Sequence, residues 1–298
     1  MINKNSKDFL VLSIGKILQV LIGLVTIRLI TELLSKEQVG IYYILLTVVS
    51  LLAFGFFNPL GQFYGRHLIK WQQSQNLKNS TNLMLLLRLI ALILAVPFSI
   101  LIFYLFDYQR YFSFLEYALY VSFSLFALTH GVLLSAVNIL VGRVTFTIYS
   151  VSTLVLGLGV SMMIHQYFQT AIGWLYGLAL VQIVISVFLY KKVVAHNSFS
   201  VIRIKLAFNQ NYIKNVFNFI LPVAVTLFLQ WGQTASFRLI VEDLYAVETL
   251  AFIAVGMALS GAVFSAIESL ATQFYMPLYL KRITNTSLKV RTDTWNEI

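Results

Sequence analysis

The most constraining feature of this chain is a series of apolar stretches long enough to cross a bilayer. The segment 82–106 carries a single charge, Arg88, and several such runs exceed the roughly 20 residues that a membrane helix needs. Backbone donors and acceptors in lipid must be satisfied within the segment, so these runs are expected to be helices. Composition enters here: 59% of residues are apolar and 11% charged, against about 25% charged in a soluble domain. The first run begins at Phe9, is too long for a secretory signal core and has no small-residue cleavage site behind it, which marks it as a retained span. The expected fold is an all-α, polytopic membrane protein. Its eight spans fall at about 9–34, 39–63, 82–106, 112–138, 144–165, 169–190, 214–241 and 246–276. Ser35-Lys-Glu-Gln38 is a capping box that starts the second span, with the hydroxyl and the amide serving free donors of its first turn. Pro59, Pro97, Pro222 and Pro277 lie in or near span ends, where bends are expected. Tyr42, Tyr43, Tyr64, Trp71, Tyr104 and Tyr108 stand where interfacial aromatic belts would form.

The formal charge of +10 does not point to nucleic acid, because the basic residues sit in loops, where they orient a membrane protein. Lys4, Lys7, Arg66, Lys70, Lys78, Arg143, Lys191, Lys192, Arg203, Lys205, Lys214, Lys281, Arg282, Lys289 and Arg291 fall on one side; Lys36 and Arg110 are the opposite set. That asymmetry places the amino terminus in the cytoplasm. It also puts the acceptor patterns at Asn79-Ser-Thr81 and Asn285-Thr-Ser287 inside, where glycosylation does not reach them. The chain has no Cys, and its four His are isolated, so thiolate or histidine metal sites and disulfides have no sequence support. No serine elbow, phosphate-cradling glycine loop or paired catalytic carboxylate is present, and no cofactor is expected.

The chain also repeats itself. Arg28-Leu-Ile-Thr-Glu-Leu-Leu34 returns as Arg238-Leu-Ile-Val-Glu-Asp-Leu244 at an offset of 210, and Gln62-Phe-Tyr64 returns as Gln273-Phe-Tyr275 at 211. An internal repeat organises everything around it. An even number of spans separates the copies, so both run the same way and are related by an axis along the membrane normal. The expected organisation is a first six-helix lobe over 1–212, the first two helices of a second lobe over 213–281, and a cytoplasmic tail over 282–298. A second copy of two spans suggests a truncated chain.

Ionisable groups inside spans cost at least about 2.5–3.5 kcal/mol each on insertion scales, so they are functional candidates. Lys16, Arg28, Arg88, Arg238 and Glu268 are in this class. Ser13, Lys16, Gln19, Gly23 and Thr26 share one face of the first span, and Asn218, Thr226, Gln230, Gln233 and Ser236 share one face of the seventh. These faces either hydrogen-bond across packed helices or line a common cavity at the repeat axis. Arg28 lies near Glu32, and Arg238 stands in the same relation to Glu242; each pair reads as an interface clamp or as a cationic rim at the outer mouth. Arg88 either snorkels or faces the cavity. Glu268 suits ion coupling or an ion pair with Lys16, and His130 reads as a packed interior residue.

Gly15-Lys16, Thr26-Ile-Arg28-Leu-Ile30, Ser35-Lys-Glu-Gln-Val-Gly-Ile-Tyr42 and Gly61-Gln-Phe-Tyr64 with Arg66, followed by the restart at Phe219-Ile-Leu-Pro222, carry a resemblance. Over essentially its whole length the chain resembles the Wzx-type polysaccharide flippases, in the larger group that includes multidrug/toxin exporters and the peptidoglycan-precursor flippase. The resemblance implies a two-lobed, V-shaped transporter. Such proteins move an undecaprenyl-diphosphate-linked oligosaccharide across the bacterial inner membrane, for O-antigen and other surface polysaccharides, by alternating access. In such a transporter the in-span and polar-face residues Lys16, Gln19, Arg28, Arg88, Gln230, Gln233 and Arg238 would bind substrate, and Glu268 would couple an ion. Partners would be membrane lipids and polysaccharide-assembly membrane proteins. An exporter of cationic drugs would want net acid in its cavity, whereas the in-span charges are mostly basic. A membrane-embedded glycan polymerase or transferase would want acids on an outer loop of real size, and the outer loops are short.

Overall fold

The computed structural model describes residues 4–195, 210–283 and 292. Arg203, Lys205, His196, the 285–287 acceptor pattern, Lys289 and Arg291 lie outside the described residues. Among the described residues there is no strand, and seven helices are long and apolar enough to cross a membrane. An eighth is counted if Val247–Ala262 and Phe264–Arg282, bent by 41°, form one span. The protein is an all-α, multi-pass membrane protein.

The chain folds as α1 (Lys4–Leu33), α2 (Lys36–Leu52), a π turn (Ala53–Phe57), α3 (Asn58–Gln73), α4 (Leu77–Leu105), a 3-10 turn (Tyr108–Arg110), α5 (Phe114–Ala127), α6 (Thr129–Leu140), α7 (Arg143–His165), α8 (Ala171–Val194), α9 (Gln210–Thr234), α10 (Phe237–Leu244) and α11 (Val247–Ile283). The second expected span thus runs on through α3, the fourth is broken between Ala127 and Thr129, and the seventh is broken after Thr234.

Each break has a local chemical cause. Pro59 has no N–H to offer the Gly55 carbonyl. The helix responds with a π turn in which the Asn58 N–H reaches back to the Ala53 carbonyl. Pro277 likewise frees the Gln273 carbonyl. The amide of Asn138 on α6 donates to that oxygen at 3.0 Å, and Arg143 donates to the neighbouring Phe274 carbonyl at 3.0 Å. Proline is tolerated in a membrane helix where neighbours replace the lost bond in this way.

The capping box is half realised. Ser35 Oγ accepts from the Gln38 N–H at 3.2 Å. The Gln38 amide oxygen instead accepts from the Ala171 N–H at 2.8 Å, capping the free first turn of α8 rather than its own. The belt expectation also needs correction for several tyrosines: Tyr43, Tyr64 and Tyr108 are buried, and Tyr104 is exposed. Tyr64 is drawn inward by a hydrogen bond with Thr81 Oγ1 at 2.8 Å.

The two copies are cross-packed. The first helix of one lies on the second helix of the other: α1 runs along α11, and α9 runs along the π turn and α3. α2 packs along α11 as well. At the end holding Lys36, Arg110 and Val247, the copies share one apolar core, with Tyr43, Ile44 and Trp174 meeting Trp231, Leu239 and Leu250. Gly40 permits the closest approach, since a Cβ there would lie 2.1 Å from the Val247 carbonyl oxygen. At the opposite end the buried core is built almost wholly from the first copy, with Leu280 its buried member from the second among the described residues. The copies are joined at one end and spread at the other.

Candidate functional site

The spread end holds a cavity of about 970 Å³ between α3 and α6 of the first copy and α9 and α11 of the second. Its size is at the upper end for small-molecule sites, about 300–1,000 Å³. α3 supplies most of its chemistry, because Gln62, Arg66 and Lys70 recur every four residues and share a face. His67 lies beside them. Its Nδ1 donates to the Phe63 carbonyl at 2.8 Å, which leaves Nε2 for other partners. The His67 ring stacks on Trp71 with centroids 5.4 Å apart. The Arg66 guanidinium lies 5.6 Å from the Phe219 ring of α9, a cation–π contact that bridges the two copies. Neither Arg66 nor Lys70 forms an ion pair among the described residues, and no Asp or Glu lines the cavity among them.

The repeat register reappears in the walls. Gly61, Gly65 and Leu68 line one side, and Thr272, Met276 and Tyr279 line the other. Each pair is separated by the same offset of 211 that aligns Gln62 with Gln273. Equivalent faces of the two copies therefore look at each other across the cavity. Glycine on the α3 side leaves room: a Cβ at Gly65 would meet nothing within 4 Å.

The residues singled out in the sequence are dispersed. Lys16 donates to Gln19 Oε1 at 2.9 Å, and Gln19 Nε2 donates to Ser150 Oγ of α7 at 2.9 Å. This polar thread lies where α1 crosses α7 closely, since a Cβ at Gly15 would stand 2.3 Å from Thr147 Cγ2. Gln230 and Gln233 are exposed on α9. The polar faces of α1 and α9 do not meet, because each of these helices packs on the other copy's second helix instead. Glu268 is exposed one turn from Thr272 and forms no ion pair with Lys16. Its counterpart at offset 210, Asn58, lines the cavity.

Arg88 is 3% exposed and neither snorkels nor reaches the cavity lining. It donates to the Phe57 carbonyl at 3.3 Å and to Thr129 Oγ1 at 3.4 Å, with its guanidinium 5.0 Å from the Phe57 ring. It thus ties the π turn to α4 and α6. His130 is packed inside, with Nε2 3.0 Å from Thr153 Oγ1.

The two Arg–Glu pairs part company. Arg28 Nε lies 3.4 Å from Glu32 Oε2 on the surface of α1. Arg238 does not pair with Glu242. It lies over Tyr43, 5.4 Å from the ring centroid, and donates to Thr47 Oγ1 at 3.4 Å. The Glu242 carboxylate, 1% exposed, accepts instead from Arg110 and, at 2.8 Å, from the Tyr111 hydroxyl. Burial, and then the hydrogen bond to Glu242, push the Tyr111 phenol well above its ordinary range. This cluster closes the joined end, opposite the cavity.

The cavity cations Arg66 and Lys70 were legible only as loop-side charges, His67 only as an isolated histidine, and Thr272 and Tyr279 not at all. The signal that locates them is the second repeat block, Gln62-Phe-Tyr64 and Gln273-Phe-Tyr275, whose flanking residues face the same space. No family model, curated protein or solved structure matches the chain.

Proposed function

We propose that this protein moves a lipid-diphosphate-linked oligosaccharide across the bacterial inner membrane for surface polysaccharide synthesis, by alternating access. The observation that carries the reading is the cavity between the two copies, lined by Arg66, His67 and Lys70 and by no described carboxylate. Guanidinium and ammonium groups both hold phosphate well, the first as a fork and the second as a point charge. The sequence asymmetry of Lys and Arg supports placing the cavity end, and the amino terminus, in the cytoplasm. A lipid-linked diphosphate made on that side would then meet an open basic cavity. The same lining disfavours a cationic drug as cargo, because no acid is there to replace its hydration.

The residues that carry substrate in this reading are Arg66, Lys70 and His67, with Gln62 and Thr272 on the same lining facing the sugar hydroxyls. A charge-assisted hydrogen bond contributes about 1.5–3 kcal/mol. Removing two of them in Arg66→Ala with Lys70→Ala is therefore expected to weaken binding of undecaprenyl diphosphate to the purified protein about a hundredfold or more. Unchanged binding would reject the assignment. The same variant is expected to stop surface polysaccharide export in a cell that depends on this chain.

A further inference from the structure

We propose that α10 is the gate at the joined end of the molecule, latched shut by Glu242 on Arg110 and Tyr111. The inference rests on the alternating-access reading, which requires the closed end to open in turn.

Three observations single out α10. First, it is hinged. The helix breaks between Thr234 and Phe237, and the chain tightens there into shorter turns, with Arg238 N–H bonded to the Ala235 carbonyl at 3.1 Å and Leu239 N–H to the Ser236 carbonyl at 3.0 Å. Such 3-10 stretches inside a long helix mark hinges. Second, α10 is held by few groups. Leu239 and Glu242 are its buried residues, while Ile240 and Leu244 stand exposed. A short helix with two buried side chains has little apolar area to lose on lifting.

Third, the docked state is polar and incompletely satisfied. Glu242 Oε1 takes both donors from the α4–α5 connection, whereas Glu242 Oε2 and the nearby Tyr108 hydroxyl are buried with no hydrogen-bond partner. Burying an unpartnered oxygen costs free energy that water returns on opening. The latch therefore opposes two terms, a charge-assisted pair that favours closure and two stranded oxygens that favour release. That balance suits a switch rather than a permanent joint.

Beneath α10, Trp231 Nε1 donates to the Thr47 carbonyl at 3.3 Å and to Ser50 Oγ at 3.1 Å. Lifting α10 on its hinge frees the Arg238 contact to Thr47 first and exposes this layer next. Thr47, fully buried in the closed structure, thus reports whether the end has opened.

The chain has no cysteine, so a single thiol at Thr47→Cys can be read without background in the full chain in membrane vesicles. Labelling by a membrane-impermeant maleimide from the joined end is expected to be slow in that parent. Adding Glu242→Gln is expected to raise the rate at least about tenfold, the change that about 1.4 kcal/mol makes in an open–closed equilibrium. Arg110→Gln, which leaves the sequence of α10 intact, is expected to do the same, and exchanging the two charges (Arg110→Glu with Glu242→Arg) to bring the rate back down. A rate unchanged in both single variants would overturn the gate. Labelling needs no transported lipid. A raised rate together with normal undecaprenyl-diphosphate binding in Arg66→Ala/Lys70→Ala would therefore keep the gate and reject the substrate.

Discussion

The two copies of Arg-Leu-Ile-x-Glu differ in what surrounds them, and that decides what they do. In the first copy both side chains are exposed, Arg28 by 77% and Glu32 by 58%, and they answer only each other within one helix. In the second, the helix has broken three residues earlier and the two side chains are carried apart. Arg238 lies on an aromatic ring of α2, and Glu242 is buried against Arg110 and Tyr111. The same letters form a solvated pair in one place and a link between the copies in the other. Sequence identity conserves the groups; burial chooses their partners and sets their worth.

Removing one member of a buried pair leaves an uncompensated charge, which costs about 3–5 kcal/mol, whereas an exposed pair contributes less than about 1 kcal/mol. The largest expected effect lies at Arg143. Its guanidinium is 10% exposed, bonds Asp8 at 3.1 Å and holds the Phe274 carbonyl. Arg143→Ala is expected to lower stability by about 3–5 kcal/mol, measured by denaturant unfolding in detergent micelles. A loss below about 1 kcal/mol would place this pair with the exposed class.

Glu242→Gln comes next. The amide keeps an acceptor for Tyr111 but loses the charge that Arg110 answers, and Arg110 is itself 43% exposed and can be hydrated. The expected cost to the closed state is about 1.5–3 kcal/mol, less than at Arg143 because water can reach one partner. Asn138→Leu is expected to cost about 1–3 kcal/mol, since it strands the carbonyl that Pro277 frees. A second variant sharpens that value: Pro277→Ala restores an N–H for the Gln273 carbonyl, so the Asn138 change should cost less in its presence. Additive effects would show that the side chain is not replacing the missing backbone bond.

The helical membrane class is legible in the sequence, because apolar length alone forces a helix in lipid; against eight expected spans the described residues hold seven, or eight if the bent pair is one span. The repeated blocks are legible as well, and residues flanking the second block line one cavity. Partner choice was not. Lys16 and Gln230 share a helical register but are separated by the cross-packing of α1 on α11 and α9 on α3, which no periodicity encodes. Arg66 and Lys70 read as loop charges because they fall at the end of an apolar run. They line a cavity only because the π turn at Pro59 carries α3 onward along α9, while α11 packs on it only sparsely. A break caused by one missing N–H thus decides whether these cations stand on an open surface or line a cavity.

The smallest effect should come from the pair that looks most like a clamp on paper. Arg28→Ala removes a guanidinium 3.4 Å from Glu32, yet both groups are mostly exposed. An i,i+4 pair of this kind stabilises a helix by about 0.2–0.5 kcal/mol, and alanine recovers part of that through its higher helix propensity. The expected change in unfolding stability is therefore below about 0.5 kcal/mol, with the Glu32→Ala change equally small. The corresponding change at the other copy, Arg238→Ala, is expected to cost more, because it removes the cation from over Tyr43 and the donor to Thr47 Oγ1. Equal effects at Arg28 and Arg238 would break the comparison, since they would mean that the repeated motif acts alike in both copies whatever surrounds it.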